Sequence, residues 1–251
     1  MKTFFFNTRF IYFSIIMILS IPNSFAQIKE KEVDTQSQSW FSINSTIRLN
    51  NKFGIVADLH MRRTSFISDP SFYFVRTGLN FWIKENITAT MGYGYMWVAP
   101  SKPLWHHYAQ EHRVYQQIQV NSKIGKIGLL NRVRNEQRWQ EKIINDEFTN
   151  DYKFTDRVRY LLSMTIPVFK NPHCPSLAIS DELAVQFGKE IVYNTFDQNR
   201  FFVGIKQPIG KSLSFDLGYM MVYQQKASGY QYGKYNTFRW FFYYTPDFRK
   251  N

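Results

Sequence analysis

The sequence is poor in cysteine, in acid and in long apolar runs. Its 251 residues hold one cysteine, Cys174, so neither an internal disulfide framework nor a cysteine-based metal cluster can form. Acidic residues number 19 against 31 lysines and arginines, a formal net charge of +12. Past Ile21 no apolar run reaches the roughly 20 residues that a membrane-spanning helix needs, and the mean hydropathy is -0.36. These absences exclude a disulfide-stapled small domain and a helical-bundle membrane protein. What is plentiful is aromatic: 24 Phe, 16 Tyr and 6 Trp make up 18% of the chain.

The one apolar run, Phe10 to Ile21, follows Lys2 and Arg9 and gives way to Ser24 and Ala26. A basic start, a short apolar core and a small-x-small exit describe a secretory signal peptide over residues 1–26, with an uncleaved anchor as the alternative. No cysteine follows the cut, so a lipoprotein anchor is not expected. In a cytosolic chain the basic excess would point to nucleic acid. An exported chain meets outer-membrane lipid, lipopolysaccharide or a small anionic solute instead, and no nucleic-acid partner is expected.

Residues 27–39, QIKEKEVDTQSQS, are polar and read as a leader. From residue 40 to 251 a two-residue alternation takes over and marks a single domain of β-strands. In FGIVADLHMR, Phe53, Ile55, Ala57, Leu59 and Met61 oppose Gly54, Val56, Asp58, His60 and Arg62. ITATMGYGYMW and LSFDLGYMMVY repeat the pattern. Tight turns are expected at residues 50–52, 85–86, 125–126 and 208–212, with a somewhat longer connection over 168–176. Longer loops are expected in APSKPLWHHYAQ, QEKIINDEFTND, KEIVYNTFD and KASGYQYGK. Short turns at one end and long loops at the other are typical of an antiparallel transmembrane β-barrel of the outer-membrane type. Eleven candidate segments are countable, but single-chain bacterial barrels usually hold an even number. Twelve strands are therefore expected, the missing one sought in Ile28 to Gln38, with ten as the alternative.

The stretch NRVRNEQRWQ decides which face is the lumen. A strand stacks Arg132, Arg134, Glu136 and Arg138 on one side. An arginine turned to the bilayer midplane costs roughly 2–4 kcal/mol. The three arginines together would cost about 6–12 kcal/mol, comparable to a domain's whole stability, so this face must point inward. By the same parity Glu111 and Arg113, then Arg157 and Arg159, Glu182 and Arg200 join a charge network within the barrel. A local helix pairing Arg132 with Glu136 at i,i+4 is the competing reading. The opposite face, with Asn131, Asn135 and Gln137, is a poor lipid surface.

In this order WFSINSTIRLNNKF, EHRVYQQ, NRVRNEQRW, ISDELAV, FDQNRFFVGIK and NTFRWFFYYTPDF resemble the domain of unknown function 2490 family, over nearly the whole mature chain. The most specific pieces are the Arg-x-Arg-x-Glu-x-Arg strand and the Gln-Asn-Arg-x-x-x-Gly strand. The resemblance implies an uncharacterised outer-membrane barrel of Gram-negative bacteria and supplies no catalytic residue.

Two functions fit the arginine wall. It can select anions in a passive channel, or its ion pairs can fill a closed structural barrel. A hydrolase site in the external loops is a third reading, with Ser101, His106, His107 and His112 as raw material. Their spacing matches no defensible motif, and HHxxxxH lacks a geometry that converges on a metal. No catalytic residue, metal or cofactor is assigned. Trp105, Tyr108, Tyr230, Tyr232 and Tyr235 are expected in an interfacial aromatic girdle. The last strand, with Phe238, Trp240, Phe242 and Tyr244 on one face, suits recognition by barrel-assembly machinery during biogenesis.

Overall fold

Period-two alternation persists far enough in each segment to make strands longer than most soluble ones. The computed structural model describes residues 29–249 apart from 101 and 103. The signal-peptide segment 1–26 lies outside the described residues. The strands are β1 (Glu32–Arg48), β2 (Phe53–Thr64), β3 (Asp69–Lys84), β4 (Ile87–Val98), β5 (Ala109–Ile124), β6 (Ile127–Ile144), β7 (Glu147–Pro167), β8 (Ser176–Phe187), β9 (Phe196–Pro208), β10 (Leu213–Gln225) and β11 (Gln231–Tyr244). They close into one barrel in chain order.

Every strand is antiparallel to its chain neighbours, and the barrel closes where β11 meets β1 in parallel. This departs from the antiparallel expectation, and the reason is arithmetic. Up-and-down strands in odd number bring the first and last to the seam running the same way. The eleven strands match the segments counted by pattern and fall one short of twelve. The stretch searched for a further strand lengthens β1 instead. Glu32 to Ser37 pair with Gln231 to Asn236, so the barrel begins at Glu32 and not at Trp40.

The turn between Glu85 and Asn86 and that between Gly125 and Lys126 lie at the same end as the connections 49–52, 168–175 and 209–212. Loops 99–108, 188–195 and 226–230 crown the other end. One expected long loop is absent there. QEKIINDEFTND is the tip of the β6–β7 hairpin, turned by Asn145 and Asp146 at φ of 53° and 60°. Two successive positive φ values define the twist-matched hairpin turn, which Asn and Asp tolerate better than other side chains.

The pleat divides the side chains as their alternation requires. Leu79 is 68% exposed and Met91 63% exposed on the outer wall, while Asp58 is 3% exposed within. The inner side carries the charges, so it positions the site.

Candidate functional site

Glu136 is the node of the lumen. Consecutive strand partners place it between Tyr115 of β5 and Arg157 of β7. One carboxylate oxygen accepts from Arg159 at 2.8 Å and from Arg134 at 3.5 Å; the other accepts from both Nε and Nη2 of Arg157. Arg157 also donates to Asp197 at 3.0 Å. Arg134 completes its donors on the Gln117 side-chain oxygen at 2.9 and 2.7 Å.

Glu182 is the second node and binds Arg132 at 2.7 Å, Arg159 at 2.5 Å and Arg200 at 3.1 Å. Glu111 lies 2.5 Å from Arg113 and 3.3 Å from Arg138. The ten charged residues read from the sequence therefore fall into two groups of contacts, one around Glu136 and Glu182 and one around Glu111. Burial removes much of the solvent screening from these pairs, and leaving one member unmatched there costs more than the pair contributes.

Several members lie beyond the ten read as the charge network, though parity had already put Asp58 opposite the apolar face of β2. Asp58 accepts from Arg76, and Asp216 accepts from Arg239 at 2.8 Å and from the Tyr243 hydroxyl at 2.7 Å. All alternate correctly with apolar neighbours, so parity applied strand by strand could have found them. Asp197 carries no such signal. Counting back from Arg200 puts it outside, but an irregularity where β8 meets β9, between Ala184 and Val185, turns it inward. A bulge shifts the face of every residue beyond it, and its place is set by the partner strand.

A cavity of about 800 Å³ remains between these side chains. Its lining runs from Gln38, Ser71 and Gln224 near the loop end to Asn121, Thr165 and Thr245 near the turns. Tyr115 lies along the inner wall over β4 and β3, its ring centroid 5.2 Å from the guanidinium carbons of both Arg76 and Arg134. The two glycines beneath it, Gly78 and Gly92, face each other across β3 and β4. Two lining cations, Arg62 and Lys206, form no ion pair among the described residues.

His106, His107 and His112 stay outside this lumen or at its rim. The N–H groups of His106 and His107 donate to Asp146 at 2.9–3.0 Å. These bonds, that of His107 first, hold the Asp146 carboxyl below the usual range. His112 faces outward from β5, its Nδ1 2.5 Å from the Tyr93 hydroxyl. Ser101 lies outside the described residues. Of the loop aromatics, Tyr108 packs near Tyr73 and Tyr230 near Tyr193, whereas Tyr235 lines the lumen and not a girdle. Tyr232 stacks on Tyr223 at 5.2 Å.

No curated protein shows a significant match to this chain. Among solved structures, the siderophore receptor PirA from Pseudomonas aeruginosa aligns with a TM-score of 0.35 at 8% identity. The alignment covers 70% of this chain and 33% of that receptor, so the chain spans about a third of the receptor's length. The chain is a closed all-β barrel of eleven strands. A family profile matches residues 37–233, from within β1 to the start of β11, and the chain belongs to the family described as Protein of unknown function (DUF2490).

Proposed function

We propose that the protein is exported, sits in the outer membrane among lipid and lipopolysaccharide, and serves as a passive conduit for small anionic solutes. The observation that carries this reading is the cavity, whose lining residues come from both ends of the barrel while arginines share too few carboxylates. A pore wall with excess fixed positive charge raises the local concentration of anions and repels cations. Insertion by barrel-assembly machinery belongs to the same reading.

One observation favours a closed structural barrel instead. Arg134, Glu136 and Arg157 are 3–4% exposed, so side chains pack closely against one another at that level. Conductance of refolded protein in planar bilayers separates the two. Discrete steps with anion-selective reversal potentials are expected, with selectivity reduced by Arg134→Ala. That variant leaves Glu136 matched by Arg157 and Arg159 and removes one lumenal charge. A folded, heat-modifiable barrel that stays silent would overturn the conduit and leave the structural reading.

A further inference from the structure

Arg62 is the lumenal guanidinium that the charge network leaves out. Its central carbon lies 3.1 Å from the Trp40 ring centroid and 4.2 Å from that of Phe72. No carboxylate or other acceptor engages it among the described residues, and Arg200 shares its Trp40 ring. A guanidinium stacked on aromatic faces keeps its in-plane N–H fork free for a planar oxyanion. His60 is the preceding inward residue of β2, and its Nε2 is buried without a partner. Both residues line the same cavity. Inward neighbours on a strand stand about 6.6 Å apart, a gap that one carboxylate group fills.

We propose that Arg62 and His60 form a binding site for a small carboxylate, held by the Arg62 fork and by the His60 Nε2–H tautomer. The ligand class deepens the conduit reading and rests on it. Arg200, which shares the Trp40 ring from 5.0 Å, adds positive charge without giving up Glu182. The test is calorimetric titration of acetate into the refolded full barrel against constant chloride. One saturable site is expected, weakened at least tenfold in Arg62→Gln and less in Arg62→Lys, which keeps charge and loses the fork. Heat-modifiable mobility establishes that each variant is folded. Absence of saturable acetate binding, or equal binding by folded Arg62→Gln, would overturn the site. Conductance of the same preparation is independent: an anion-selective pore that binds no acetate sinks the site alone, and a silent barrel that binds acetate sinks the conduit alone.

Discussion

Glu136→Leu is expected to destabilise the barrel by about 3–5 kcal/mol, the usual consequence of removing one partner from a buried ion pair. The measurement is the urea midpoint for loss of the folded, heat-modifiable band in lipid vesicles. Glu136 is 3% exposed and serves Arg134, Arg157 and Arg159 at once. Leucine leaves the three guanidiniums facing one another with no water to replace the carboxylate. Part of the loss is offset, because Arg157 keeps Asp197 and Arg159 keeps Glu182. Glu136→Gln retains shape and one acceptor oxygen and is expected to fall between wild type and Leu. A Leu variant with the wild-type midpoint would show that the node contributes nothing to stability.

Gly92→Val is expected to cost about 1–3 kcal/mol, the range for forcing extra volume into a packed interior. A Cβ at Gly92 would run into the backbone oxygen of Thr77 and stand 2.6 Å from the Tyr115 ring and 2.7 Å from the Cα of Gly78. The chain can close β3 on β4 under Tyr115 because neither residue carries a side chain there. Tyr115 is 2% exposed, and its displacement would also strip the aromatic face from Arg76 and Arg134. Because two of these three contacts are with the β3 backbone, Tyr115→Ala in the Gly92→Val background is expected to recover only a minor part of the loss. Urea midpoints of the four proteins in that cycle give the coupling directly. Recovery of most of the loss would show that the ring, and not the β3 backbone, is what the valine meets.

The strands and their inner and outer faces were legible because alternation is local. Leu79 and Met91 outside, Asp58 and Glu136 inside, each follow from a neighbour two positions away. Arg132, Arg134, Arg157, Arg159 and Arg200 were assigned inward by the same rule and by the cost of an arginine in lipid. The same rule had Arg62 opposite the apolar set of β2, and local pattern could also have found Arg239, though not that the first lacks a carboxylate while the second holds Asp216.

Which residues meet depends on register, and register belongs to pairs of strands. Glu182 binds Arg132 although 50 residues separate them, because the barrel curves β6 and β8 toward one interior. Asp197 turns inward only because β9 slips against β8. The parallel seam between β11 and β1 follows from the total number of strands, a property that no single segment carries. By itself the sequence determined strand, face and charge, since those depend on spacing along the chain. Closure, seam, bulge and the unpaired state of Arg62 were decided by the tertiary structure, since each depends on how residues far apart in the chain share one enclosed space.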